Sequence, residues 1–158
     1  MITKTEEYSL IADVALIAEG KVLLVKYTDT NKYDHQSGWF LPDAGIGYLE
    51  HPERAALRIA KEQLGLDLPN SPSTCLQEEG AGGWTFRLGL LESFKGNDGS
   101  WHLPFHYVAE LGRMPDINPS ADIAEARWFE LDNLPPKGEV AHHGWALSVL
   151  RRLDEGRI

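Results

Sequence analysis

The sequence predicts an α+β fold, a mixed β-sheet sandwiched between α-helices, built as one domain over residues 1–158. Three observations carry that prediction. Short runs rich in Val, Leu and Ile alternate with turn residues along most of the chain, which is the pattern of strands. Two other stretches repeat apolar residues at helical spacing, the signature of helices packed on one side. Strands precede, separate and follow those two helices, so the sheet has a helix to cover each face. With 158 residues and 42% hydrophobic content, the chain holds enough apolar mass for one core and too little for two.

The elements follow in order. "SLIADVALIAEGKVLLVKY" contains two apolar runs, Ser9 to Ala18 and Lys21 to Tyr27, separated by Glu19 and Gly20, the chemistry of a tight hairpin turn. "TDTNKYDHQSG" is polar and aperiodic, a surface loop. "WFLP" returns briefly to the sheet before Pro42 stops it. From Pro52 to Leu64 the period becomes helical: Ala56, Leu57, Ala60 and Leu64 share one arc and Gly65 supplies the stop. "LDLPNSPSTCLQEEGAGG" reads as a connector with a short strand near Cys75. "WTFRLGLLESF" and "HLPFHYVAEL" read as two strands joined through Asn97, Asp98 and Gly99. "EARWFELDNLPP" gives a last strand, and "HHGWALSVLRRLDEG" a closing amphipathic helix with Trp145, Leu147 and Leu150 as apolar contacts.

Composition excludes several classes of partner. The net charge is -9 and no Lys/Arg-rich run occurs, so the chain lacks the means to grip a nucleic-acid backbone or an anionic membrane. A single cysteine, Cys75, cannot form an internal disulfide, and charges interrupt the N-terminal residues before a signal-type apolar region is complete. No window reaches transmembrane length. A cytoplasmic protein is the expectation, and nothing in the sequence fixes an oligomeric state.

The stretch "LPDAGIGYLEHPERAALRIAKEQLGLDL" resembles the sequence box of the Nudix hydrolases, G-x5-E-x7-R-E-U-x-E-E-x-G-U with U aliphatic. Glu50 falls on the first glutamate, Arg58 on the arginine, Glu62 on the first of the paired glutamates, and Gly65 with Leu66 on the closing pair. "GWFLP" matches the lead-in and "AEARWFELDNLPP" the final strand and turn, so the resemblance spans nearly the whole chain. It implies the Nudix fold, an ancestry among hydrolases of nucleoside diphosphates linked to another group, and Mg²⁺ (or Mn²⁺) as cofactor. It also implies a bracing salt bridge between Glu50 and Arg58.

The departures fall on the chemistry. Asp43 and Ala44 replace glycines, Ile59 replaces the glutamate after the arginine, and Gln63 replaces the second paired glutamate. Positions 59, 62 and 63 are one helical turn or less apart. Three carboxylates there would repel one another without a cation, and Mg²⁺ takes its few protein ligands mainly as carboxylates. Ile59 offers none and Gln63 only a neutral carbonyl, which leaves Glu62 as the residual catalytic and metal candidate. The preferred reading of Glu62 is a surface pair with Arg58.

Around the box, Asp43, Arg54, Gln63, Tyr48, Trp39, His102 and His106 are candidates for contacting a small phosphorylated or nucleotide-like ligand. Tyr33, Trp84 and Trp101 add aromatic faces suited to stacking, and Lys61 and Arg87 add charge. For Asp43 turn chemistry competes with a relocated ligand role. His102 and His106 share a strand face unless Pro104 breaks it, and His142 and His143 open the final helix. Histidine serves as metal ligand and general base. No zinc spacing occurs, however, and ordinary surface or packing histidines are the preferred reading. Two functions follow: a Nudix-fold binding or regulatory module, needing no cofactor, whose Mg²⁺-dependent catalysis is absent or strongly weakened, or an active divergent pyrophosphohydrolase with ligands from outside the box.

Overall fold

A computed structural model describes residues 8–29, 37–68, 85–95, 99 and 101–155. The first apolar runs form β1 (Tyr8–Ala18) and β2 (Lys21–Tyr27), paired antiparallel with Ile17 opposite Val22. Glu19 and Gly20 both have positive φ, 50° and 74°, the type I′ turn whose twist suits a two-residue hairpin. "WFLP" departs from expectation: Trp39 and Phe40 make only isolated bridges, to Val140 and Val25. The regular strand β3 (Asp43–Gly45) begins after Pro42, whose carbonyl accepts from the Val14 N–H.

Helix α1 (Pro52–Leu64) starts with proline in its first turn and the His51 ring accepting from the Glu53 N–H. It ends at Gly65 in the left-handed conformation, with the Gly65 N–H bonded to the Lys61 carbonyl. The single strand expected over "WTFRLGLLESF" is divided at Glu92 into β4 (Thr85–Leu91) and β5 (Phe94–Lys95). Strand β6 (Trp101–Leu111) runs unbroken through Pro104. Strand β7 (Ile123–Glu130) and helix α2 (Ala141–Glu155) close the chain.

The sheet is mixed, in the order β4-β6-β1-β2-β7, with β3 on β1 and β5 on β6. Among the described strands the parallel pair is β1 with β6, which brings together Asp13 and His106. Alternation then sorts the core into two layers. Ala12, Val14 and Leu16 pack with Ala56, Ile59, Ala60 and Leu64 of α1. Ala15 and Val22 pack with Ala146, Val149, Leu150 and Leu153 of α2. The α/β/α sandwich is as the sequence predicts.

Both helices pack the expected residues against the sheet, with the centre of each buried stripe shifted. In α1, Leu57 is only half-buried, while Ile59 and Gln63 lie inside. In α2, Trp145 and Leu147 flank the sheet-facing stripe and Leu150 belongs to it. His142, His143 and Gly144 are left-handed at φ 51°, 57° and 85°, so the regular helix begins after them. The connector around Cys75, and Tyr33 and Trp84, lie outside the described residues.

Candidate functional site

The loop before α1 is tied to the helix by one ion pair. Arg58 donates through Nε to Glu50 Oε2 and through Nη2 to Glu50 Oε1, both at 2.8 Å. The same Nη2 donates to the Gly45 carbonyl, and the Gly47 N–H donates to Glu50 Oε1, each at 2.9 Å. The beginning, middle and end of the loop are therefore pinned to one Glu50–Arg58 ion pair, a bidentate geometry that arginine alone supplies. Hydrogen bonds from Arg58 and Gly47 hold the Glu50 carboxyl at a pKa of about 2. Glu62 stands one turn on, its carboxylate 3.7 Å from Arg58 and its side chain 66% exposed.

Ile59 and Gln63 point the other way. Ile59 is 1% exposed within the α1-side core. Gln63, 7% exposed, uses both ends of its amide. Its Oε1 accepts from the Tyr27 hydroxyl and its Nε2 donates to the Asp43 carbonyl, each at 2.8 Å. The Tyr27 oxygen in turn accepts from the Asp43 N–H at 2.9 Å. A carbonyl can only accept, so the Asp43 contact demands an NH₂ at that point of the ring. A carboxylate at position 63 would set two acceptors against each other.

The opposite face of the sheet holds a second polar assembly. Asp13 Oδ2 lies 2.5 Å from His106 Nδ1, and His106 Nε2 lies 2.8 Å from Glu92 Oε1. The other Glu92 oxygen accepts from Arg152 of α2. Asp13 and His106 are fully buried. Burial holds the Asp13 pKa above the ordinary carboxylate value. For His106 burial pulls down, but the Asp13 and Glu92 carboxylates outweigh it and hold the pKa above the usual histidine value. For Glu92 burial pulls up, and Arg152 and His106 outweigh it, leaving the pKa lowered. The Trp145 ring lies 5.2 Å from the His106 ring. Beside this assembly, at the start of α2, is a cavity of about 540 Å³ whose lining includes Lys137, His142, His143 and Arg151.

The NUDIX domain family model matches residues 8–148. The chain belongs to the Nudix family. The fold agrees: a MutT Nudix hydrolase from Burkholderia pseudomallei superposes with a TM-score of 0.68 at 21% identity, covering 97% of this chain and 100% of that one. An Ap4A hydrolase from C. elegans, solved as a binary complex, gives 0.65 at 17% identity over 93% and 96%. A bifunctional NMN adenylyltransferase/ADP-ribose pyrophosphatase from Francisella tularensis, complexed with AMP and a manganese ion, gives 0.65 at 15% identity over 98% and 43%. No curated protein matches the chain.

The Nudix family generally uses divalent metals such as Mg²⁺ or Mn²⁺, and this Nudix box does not fit one. Ile59 is in the core, Gln63 is engaged at both ends, and Glu62 projects alone toward Arg58 and solvent. Among the described residues, no group of three or more His, Cys, Asp or Glu side chains is arranged to hold a metal ion.

The remaining candidates separate. Trp39, a ligand candidate for which core packing was the preferred reading, is core: 3% exposed, edge-on to Phe129, with Lys26 over its ring. Asp43 is a buried strand residue opposite Asp13, not a turn residue. Tyr48 is 95% exposed on the loop, Arg54 is exposed on α1, and Trp101 is exposed at the start of β6. His102 stacks on Phe94 at 5.1 Å. His106 is neither a surface nor an ordinary packing histidine, since both ring nitrogens meet carboxylates. The readable signal was Asp13, an inward carboxylate in an apolar strand. Its partner lies 93 residues away.

Proposed function

We propose that this Nudix protein binds a small phosphorylated or nucleotide-like ligand and that its metal-dependent hydrolysis is absent or strongly weakened. One observation carries the reading: Gln63 is built into a neutral hydrogen-bonded ring with Tyr27 and Asp43, so the box position has acquired a structural task that a carboxylate could not perform. The ligand class is supported by the relatives, one an Ap4A hydrolase and another complexed with AMP. Tyr48, Arg54 and Glu62 are the exposed box-side residues proposed to meet the ligand. The proposed setting is the cytoplasm, with the chain acting as one domain.

An active divergent pyrophosphohydrolase remains the second reading, favoured by the retained, exposed Glu62 and the intact Glu50–Arg58 brace. Incubation with a panel of nucleoside diphosphate derivatives plus Mg²⁺ or Mn²⁺, with products read by phosphorus NMR, separates the two. Binding without turnover is expected. Turnover that a chelator abolishes would establish the second reading instead.

A further inference from the structure

The Nudix box makes no use of the charged assembly on the α2 face, yet Asp13 and His106 at its centre are fully buried. We propose that the Asp13–His106–Glu92–Arg152 chain is a proton-operated latch, which fastens α2 to the sheet while His106 is an imidazolium and loosens it when that proton leaves.

Two protons must lie along the carboxylate–ring–carboxylate chain, and in the latched state both are placed on His106. A neutral imidazole has one N–H and can donate to one carboxylate, whereas His106 meets Asp13 through Nδ1 at 2.5 Å and Glu92 through Nε2 at 2.8 Å. With both nitrogens protonated, two anions and two cations alternate along the chain and cancel. Removing one proton leaves a buried excess of negative charge and sets a ring lone pair against a carboxylate. The cost of that mismatch is large where water is excluded.

The neighbours make His106 the pivot. From β1 comes Asp13, from the β4–β5 junction Glu92, and from α2 Arg152, together with the Trp145 ring. Asp43 of β3 stands opposite Asp13 in register, and cross-strand partners share a face, so it adds a further acidic side chain on this side. His102, two places before Pro104 and on the same face of β6, is stacked on Phe94. Arg152 is the cation that joins the helix to the chain, so the strength of α2 docking depends on Glu92 and, through it, on His106.

Release would reach the box. His142, in the left-handed turn that precedes the regular part of α2, sits edge-on to Phe40 with ring centres 5.6 Å apart, and Phe40 sits edge-on to Tyr27 at 5.4 Å. Tyr27 then donates to Gln63 of α1. The pathway is contiguous packing between the two helices, on which both the latch and the box bear.

The sign is fixed by the raised pKa of His106. The stabilisation is fully present below the unfolded histidine value and is lost as pH rises through the folded value. The test uses the intact wild-type chain, with nitrogen shifts of the His106 ring and amide hydrogen exchange in residues 145–155 followed from about pH 6 to about pH 9.5. The expected result is an imidazolium at the acid end. On losing that proton, α2 amides should lose about tenfold or more of their protection after correction for intrinsic exchange. Glu92→Gln removes one anion and should move the transition to lower pH. A neutral ring at the acid end would overturn the proposal, as would α2 protection that does not follow the ring titration. A ring that stays charged across the whole range, with protection unchanged, would overturn it as well.

Discussion

The two faces of the sheet treat buried polarity in opposite ways. On the α1 face the polar atoms are neutral, an amide and a phenol closing a ring with the Asp43 backbone, and the charged side chains Glu50, Arg58 and Glu62 stay at the rim. On the α2 face, ionisable side chains go to the centre of the fold, two strands deep, and their chain ends on a helix arginine. The difference teaches what burial demands of a carboxylate. Asp13 sits inside where the His106 ring meets it and Glu92 and Arg152 extend the chain. A lone box glutamate at position 63 would face a carbonyl oxygen, and glutamine stands there instead.

Breaking the charged face should have the largest effect. His106→Ala leaves Asp13 without its counter-charge and Glu92 with Arg152 alone, so urea denaturation should show a loss of about 3–5 kcal/mol. A loss below about 1 kcal/mol, the range of surface pairs, would mean that the four groups are not acting together.

Charging the neutral face should have an intermediate effect. Gln63→Glu removes the donor to the Asp43 carbonyl and opposes two acceptors, a cost of about 1–3 kcal/mol. The protonated acid restores the missing donor, so the folded form should raise the pKa of the new carboxyl. The loss should therefore be present at neutral pH and shrink on acidification, as read from the melting temperature of the variant against wild type. A deficit that ignores pH would show that the ring does not depend on the amide.

The rim should matter least. Glu50→Gln weakens a half-exposed ion pair, worth about 0–1 kcal/mol after solvent screening. Because the folded Glu50 pKa is lowered from 4.5 to about 2, its contribution is present above the unfolded value. It is lost as pH falls through that window. Wild type and variant should converge in melting temperature there, and a gap that persists at the acid end would assign the effect to packing.

The sequence disclosed some of this and concealed the rest for identifiable reasons. The Glu19–Gly20 turn and the Gly65 stop were legible because each depends on residues that are neighbours in the chain. So was the Glu50–Arg58 brace, through its family spacing. The face of α1 was legible in part, through Ala56, Ala60 and Leu64. A hydropathy pattern assigns Leu57 to the core and Gln63 to solvent, but tertiary hydrogen bonds bury Gln63. Trp39 resembled a stacking residue because its cover, Phe129 and the Lys26 and Arg127 side chains, is distant in sequence. The histidine chain was hidden most deeply, since the parallel pairing of β1 with β6 joins Asp13 to His106, and Glu92 and Arg152 reach them from the β4–β5 junction and α2.

That pairing also governs the order in which the chain can assemble. The β1–β2 hairpin can close locally, but Asp13 meets His106 only after a loop of 93 residues has been gathered, an entropic cost of about 4 kcal/mol beyond a constant term. Until β6 arrives, Asp13 keeps its water. A fold whose central strand carries such a side chain cannot dry its middle early, and relatively late docking of β6, with α2 following, is the kinetic consequence of one aspartate in an apolar strand.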